Sequence, residues 1–454
     1  MQKISKATII FLCIALLGSM LTAGWAANPA LAAEKQKACP QVSDQDISDA
    51  YLYLLGRFLV LRQEHLDFKN EGFKWNTVIH RKPGGVAWAN PNLDVAYSEA
   101  WVALDENTPV IIEVPEIKKG QYYTWQMLNG WGETTVNINE RTFSNHPHGK
   151  FALVLKGSNP TIPGDALKVE VPSKKSRVLA RVELGSNPAE AERLQQQFKL
   201  TAPATVKITP PVAIPLFTND KMPGAAAFDQ AGKILASEPD INPGMEPLQK
   251  KVTAVAALVK SGQAGRDRVD KVIQSQALPR FQEALQKLGQ IENGWARPNT
   301  IGNYGSDYVS RTVINLIGIW ANNTGEVVYF KTNTDGKGTP LDGGNTYRLE
   351  FPKGALPIDK VRYFWSVIAV DSVKFQVIPN PLNRFLLNKE SGVKLNEDGS
   401  LTLWFAPKQP VQTADANWLP TPAGQNYNLT FRFYGPSQDI VDGKYFPPPL
   451  VKAE

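Results

Sequence analysis

The sequence predicts a mainly β protein with helical segments, in which two antiparallel, sandwich-like β regions are joined by a helical bridge. Three observations carry this expectation. Short apolar runs with a period of two recur from Glu99 to Glu183 and return from Gly325 onward. Between them, from Asn187 to about Leu288, the spacing turns helical and Ala, Gln and Lys become frequent. Pro and Gly each number 34, which favours many turns and short strands over long bundles. A chain of 454 residues also exceeds the usual size of one domain. The expected division is a signal peptide at 1–32, an N-terminal β domain with a leading helix at 43–186, a helical bridge at 187–300 and a C-terminal β domain at 301–454.

Taken in order, Lys3 and Lys6 precede the apolar run Ala7–Leu21, and Ala30-Leu31-Ala32 supplies small residues at an exit point. Positive start, apolar middle and small-residue exit describe a secretory signal, with an uncleaved anchor as the rival reading. No later segment is long and apolar enough to cross a membrane. Cys13 would leave with the signal and Cys39 would remain alone, so the mature chain is expected to hold no internal disulfide. An extracytoplasmic location, bacterial periplasm or secreted, follows as an expectation.

Ser43 to Gln63 reads as one helix, because Ile47, Ala50, Tyr51, Leu54, Leu55, Phe58 and Leu61 recur at three- and four-residue steps and Ser43 can cap the start. The runs at 101–104, 110–114, 122–128, 151–155 and 167–171 read as strands. Helical spacing then covers 188–198, 226–235 and Leu248–Leu288, and Tyr304–Trp320 adds a further helix. Strands resume at 347–351, 363–370, 401–405 and 429–434, separated by Asp-Gly turn signals at 335–336, 342–343, 398–399 and 442–443.

The charge balance is 49 basic against 43 acidic residues, a net of +6 spread along the chain. The densest basic patch, Ser173-Lys-Lys-Ser-Arg177, reads as a solvated strand edge, so no nucleic-acid partner is expected. Motifs for a serine nucleophile elbow, a zinc protease helix, a phosphate-binding loop and a dinucleotide fingerprint are absent from the letters, and no cofactor is expected.

The most concentrated polar set is Asn92, Asp94, Tyr97 and Glu99. One reading makes the Asn-Pro-Asn-Leu-Asp stretch a corner that bonds its own backbone before a strand begins. The other makes Asp94 an acid/base, with Tyr97 positioning a substrate beside a groove that includes Trp88 and Trp101. The corner is the preferred reading. In the C-terminal half, Asn380, Asn383 and Arg384 lie in a Pro-fixed stretch where they either hold an anionic group or tie down a loop, Arg384 pairing with Asp371. Asp307, Tyr308 and Arg311 suit an interdomain polar cluster as well as a site. His146-Pro-His148 reads as a solvated loop, since a metal site wants more ligands than this pair offers, and none is expected. Trp131, Trp295, Trp320 and Trp418 sit beside Gly, Asn or Pro, where rims and grooves form and where a ring-bearing ligand would stack.

The stretches at 91–98, 110–115, 121–131 and 140–142 resemble domain-of-unknown-function family 1254. Those at 302–308, 340–349, 364–371, 378–384, 396–403, 417–422 and 431–436 resemble family 1214. The resemblance implies two jelly-roll-like domains, commonly exported, and brings no mechanism. A Thr more usually follows the Asp of the first motif, where this chain has Val95. The functional expectation is an exported small-molecule or envelope-associated binding protein, with an exported hydrolase of a small organic or carbohydrate-like substrate as the alternative. Oligomeric state is left open.

Overall fold

The computed structural model describes residues 42–85, 89–287, 289–411 and 413–453. The signal at 1–32, Cys39 and Trp88 lie outside the described residues. Residues from Val42 onward form one compact unit.

The leading helix spans Asp44–Asn70, seven residues beyond the expected end. Its start is a capping box: Asp46 N donates to Ser43 Oγ and Ser43 N donates to Asp46 Oδ2, both at 3.1 Å. Every residue from Ala50 to Leu61 is buried, which happens only when a helix is covered on all sides. One side packs on the helices Glu246–Lys260, Gln263–Val272, Leu278–Gln286 and Tyr308–Ile317. On its other side, Val60 meets Trp101, Leu128, Leu179 and Trp320. The segment expected as a bridge therefore folds back over the leading helix and builds a core with it. It also lends strands to both halves, at Lys199–Thr201, Gln290–Glu292 and Trp295–Arg297.

Each half stacks a larger sheet on a four-stranded one. In the N-terminal half the larger sheet runs Ile79–His80, Val95–Ala103, Lys175–Glu183, Tyr123–Leu128, Thr134–Ile138, all antiparallel. The smaller runs Ala166–Val171, Gly149–Leu155, Val110–Val114, Lys199–Thr201 and contains one parallel pair. Trp125, Met127, Ile112, Phe151 and Val178 fill the space between them. In the C-terminal half, six strands lie in the order Gln290–Glu292, Trp295–Arg297, Val327–Thr332, Tyr427–Pro436, Val361–Asp371, Leu386–Asn388. Their partners are Trp418–Pro420, Leu401–Ala406, Tyr347–Phe351 and Val451–Lys452, again with one parallel pair. Trp365, Phe431, Phe433, Leu349 and Leu403 form that core. Alternating side chains give each sheet one apolar inner face.

The two larger sheets meet through the faces opposite their cores. Val95 and Tyr122 pack there against Val327, Tyr363, Phe364 and Tyr434, with Phe364 and Tyr434 stacked at 4.3 Å. No described helix is long and apolar enough to cross a membrane.

Candidate functional site

The site grows from two neighbouring strands. Along Val95–Ala103, the even positions Ala100 and Val102 enter the sandwich core, so Tyr97, Glu99 and Trp101 share the opposite face. Along Lys175–Glu183, Val178, Ala180 and Val182 enter the core and Lys175, Arg177, Leu179 and Arg181 share that same outer face. The register sets Tyr97 opposite Arg181, Glu99 opposite Leu179 and Trp101 opposite Arg177. The last turns of the leading helix bring Gln63 and Asp67 over this face, and Glu71 follows the helix end. Together with Arg81, the Asn90–Asn92 corner and the segment Leu316–Trp320, they enclose a cavity of about 660 Å³.

Its floor is a charge network centred on Arg177, which is almost wholly buried. Arg177 Nη2 donates to Glu99 Oε2 at 2.5 Å, Nη1 donates to the carbonyls of Ala100 and Val178, and Nε lies 3.2 Å from Asp67 Oδ2. Arg81 Nη2 bridges Glu71 and Glu99. Asp67 Oδ2 also accepts from Trp101 Nε1 at 2.9 Å, and Asp67 Oδ1 from Gln63 at 2.6 Å. The Arg177 guanidinium stacks on Phe73 at 4.6 Å and sits near Trp101 and Trp320. The two carboxylates flanking it respond oppositely. Burial raises Asp67 above its ordinary value despite Arg177, whereas Glu99, which burial would also raise, is held below its ordinary value by Arg177 and Arg81. Trp320 closes one wall with φ at +69°, a region bulky residues rarely enter and which costs of order 1–3 kcal/mol.

The expected corner forms as read. Asp94 N donates to Asn92 Oδ1 at 3.0 Å and Asn90 adopts φ +48°, so the chain turns on its own side chains and the strand starts at Val95. What the letters do not show is that the C-terminal half grips this corner. Thr430 Oγ1 donates to Asn90 Oδ1 at 2.9 Å, Arg432 Nη2 donates to the carbonyls of Asn90 and Pro91 at 2.8 and 3.0 Å, and Asn92 Nδ2 donates to the Tyr434 hydroxyl at 2.7 Å. These three residues alternate on one face of Tyr427–Pro436, while Phe431 and Phe433 on the other fill the core. Asn92→Ala and Tyr434→Phe are each expected to cost about 1 kcal/mol. Their double variant is expected to cost less than the sum by at least about 0.5 kcal/mol in urea melts, and strict additivity would remove the contact.

The candidate residues named from sequence divide into three groups. Asn92 and Tyr97 line the cavity. The Tyr97 hydroxyl has no hydrogen-bond partner among the described residues, and its ring lies 5.2 Å from the Arg181 guanidinium. Trp101 stands behind the cavity, holding Asp67. Asp94 faces elsewhere: it lines a separate pocket of about 150 Å³ with Glu183, Asn388 and Lys389. It is 4% exposed, its Oδ1 accepts from Asn388 at 2.9 Å, and its Oδ2 is buried beside the Ser366 hydroxyl without a bond of good geometry. Burial raises its pKa against the pull of Ser366, Asn388, Arg432 and Lys389. Asp94 and Tyr97 thus open into different spaces, and an acid/base pairing of the two has no geometric basis.

Asn380, Asn383 and Arg384 do not line the cavity either. Asn380 Oδ1 accepts from the backbone of Leu382 and Arg384, Asn383 takes φ +49°, and Arg384 pairs with Asp415 at 2.5 Å and donates to the Trp418 carbonyl. The stretch ties down a loop, but Asp371 is not the partner: it caps its own turn through Val373, Lys374 and Gln376. Arg311 is buried inside the helical layer against Asp240. His146 bonds the Lys150 carbonyl, and no group of three or more His, Cys, Asp or Glu among the described residues is arranged to hold a metal.

Asp67, Glu71, Arg81 and Arg177 were not recognised from sequence. A signal existed for Arg177: apart from Leu179, the charged residues Lys175, Arg177, Arg181 and Glu183 alternate with Ser176, Val178, Ala180 and Val182, so the basic patch belongs to a strand, and that strand is covered on both faces. The solvated-edge reading holds for Lys174, which is exposed, and fails for Lys175, which pairs with Glu64 at 2.8 Å, and for Arg177. Of the four tryptophans expected at rims, Trp320 lines the cavity, while Trp131 and Trp295 are wholly buried.

Residues 75–202 match the family described as "Protein of unknown function (DUF1254)", and residues 326–438 match "Protein of unknown function (DUF1214)". The chain carries both families' regions. Of the cavity floor, Arg81, Glu99 and Arg177 lie in the DUF1254 region and Asp67 and Glu71 precede it, and the strand that grips the corner lies in the DUF1214 region. Among solved structures, the VPA0106 protein of Vibrio parahaemolyticus is similar at 18% identity and a TM-score of 0.67, over 90% of this chain and 100% of that one. The likeness supports the same fold. An uncharacterised Burkholderia cenocepacia protein aligns over 87% of this chain and 88% of its own at 15% identity, with a TM-score of 0.42. No curated protein matches the chain.

Proposed function

We propose that the protein is an exported, envelope-associated binding protein that holds a small molecule in the cavity between the leading helix, the DUF1254 sheet and the Leu316–Trp320 wall. The observation that carries this is the floor. Arg177, held by two carboxylates, two backbone carbonyls and three aromatic rings, fixes Glu99 and with it Arg81 at the cavity edge before any ligand arrives, and pre-organised polar groups in a mainly apolar cavity are what small-molecule sites require. Export is supported by Lys3 and Lys6 ahead of the apolar run and by the small residues ending at Ala32.

The test is a thermal-shift and calorimetry panel of small apolar acids, amines and neutral hydroxylated compounds at millimolar concentration. One class is expected to raise Tm, and Ala89→Trp, which places an indole at the exposed cavity edge, is expected to abolish the shift. No shift from any class, or a shift indifferent to Ala89→Trp, would overturn the reading.

A second reading has one specific observation behind it. Asp67 and Glu99 flank one guanidinium and are pushed in opposite directions, the pattern of an acid and a base sharing a site. On that reading the carboxylate work of an exported hydrolase passes from Asp94 to Asp67 and Glu99. Release of p-nitrophenol from p-nitrophenyl esters or glycosides, lost in Glu99→Gln, would favour it.

A further inference from the structure

Within the binding reading proposed above, on which this step rests, the cavity's own charge accounting selects a ligand class. Three acids and three bases line it: Asp67, Glu71 and Glu99 against Arg81, Lys82 and Arg177. Arg177 offers no nitrogen to a ligand, since Nη1 and Nη2 are bonded to the two carbonyls and Glu99, and Nε is buried 3.2 Å from Asp67. Asp67 is equally committed, to Trp101 and Gln63, and is 2% exposed. An incoming anion on Arg81 Nη1 would lie beside the Glu71 and Glu99 carboxylates, and an incoming cation on their unused oxygens would lie beside the Arg81 guanidinium. Either charge gains a partner only together with a like-charged neighbour, a repulsion that an uncharged ligand does not meet.

What remains unused is a mixture of donors and acceptors. The second oxygens of Glu71 and Glu99, Arg81 Nη1 and the Tyr97 hydroxyl carry no hydrogen bond from a described residue. Carboxylate oxygens accept, guanidinium nitrogens donate and a phenol does both, so together they match a row of hydroxyl groups, each of which also does both. The apolar part of the lining is Leu316, Ile317 and Ile319 of the wall, with Ile317 still 44% exposed, and Leu179 beside Glu99 on the sheet. A wall of that kind accepts a C–H face.

We infer that the cavity takes an uncharged, hydroxyl-bearing ring, a neutral sugar or cyclic polyol, with its hydroxyls on the Glu71–Arg81–Glu99–Tyr97 edge and its apolar face on the Leu316–Ile319 wall. A volume of about 660 Å³ is sufficient for one or a few such rings.

Three compounds of one skeleton that differ in charge provide the test: methyl glucoside, glucuronate and glucosamine, titrated by calorimetry into the mature protein. Methyl glucoside is expected to bind at least about tenfold more tightly than either charged analogue. In Glu99→Gln one acid is removed while both guanidiniums stay, so the order is expected to invert in favour of glucuronate. Glu71→Gln, whose side chain is 28% exposed and whose removal threatens the fold less, is expected to shift the order the same way. Equal or tighter binding of glucuronate or glucosamine by the unaltered protein overturns the inference. So does an absence of heat from all three, and so does an order unchanged in both variants. The Ala89→Trp panel reads occupancy of the cavity by acids and amines independently, so the broader binding reading stands or falls on that result alone.

Discussion

Arg177→Met is expected to destabilise the protein by about 3–5 kcal/mol near neutral pH, read as a fall in the urea midpoint with little change in slope. The reasoning is local. Met keeps most of the volume and the contact with Phe73 but removes the cation placed between Asp67 and Glu99. Glu99 keeps Arg81, whereas Asp67 is left buried with only the neutral donors of Trp101 and Gln63. Removing one partner of a buried pair costs far more than the pair contributes net, because the remaining charge has lost its water. Two consequences make the result diagnostic. The deficit should shrink as the pH falls and Asp67 takes a proton, and it should shrink in the double variant Asp67→Asn with Arg177→Met. A loss below about 0.5 kcal/mol at neutral pH would mean that the network contributes no more than a surface ion pair.

The second large effect lies away from the cavity. Glu238 is buried where the leading helix passes the Gly130 turn, and burial raises its carboxyl from 4.5 to about 7 against the pull of Arg57, the Ser173 hydroxyl and the Gly130 N–H. A carboxyl whose pKa is raised on folding binds its proton more tightly in the native state. Its contribution is fully present below the unfolded value and is lost as the pH rises through the folded value. Between about pH 4.5 and about pH 7 the protein should therefore lose about 3 kcal/mol from this group alone. Glu238→Gln should flatten that slope. It should be more stable than the parent at about pH 8 and no better at about pH 4. Parallel pH profiles of the urea midpoint in the two proteins would rule the assignment out.

The sandwiches were legible because their inner faces are apolar on a period of two, and strands such as Val110–Val114 and Tyr347–Phe351 fall at the expected residues. The leading helix was legible for the same kind of reason up to Gln63. Its last turns were not, since the apolar stripe breaks at Gln63-Glu64-His65. They stay helical because Glu64 and Asp67 meet Lys175 and Arg177 across the sheet, a contact that no local pattern announces. The corner at Asn90–Asp94 was readable because Asn and Asp bond their own backbone. The direction in which Asp94 then points was not, because Asn388, its partner, lies 294 residues away. The cavity was invisible for the same reason: its lining comes from four separated stretches, around 63–71, 81–99, 177–179 and 316–320. Arg384 was misleading in a simple way, since a neighbouring loop supplied Asp415 as a partner no spacing rule could foresee.

The strand Tyr427–Pro436 does two jobs with alternate residues, Phe431 and Phe433 inward, Thr430, Arg432 and Tyr434 outward onto the Asn90–Asn92 corner. A slip of a single residue would push phenyl rings toward the corner and a guanidinium into hydrocarbon, so mispairing here is punished twice. The same strand also makes the two halves of this chain poor candidates for separate lives. A gene split between them would yield a first product lacking the brace behind one wall of its hollow, and a second with a row of polar hooks holding nothing.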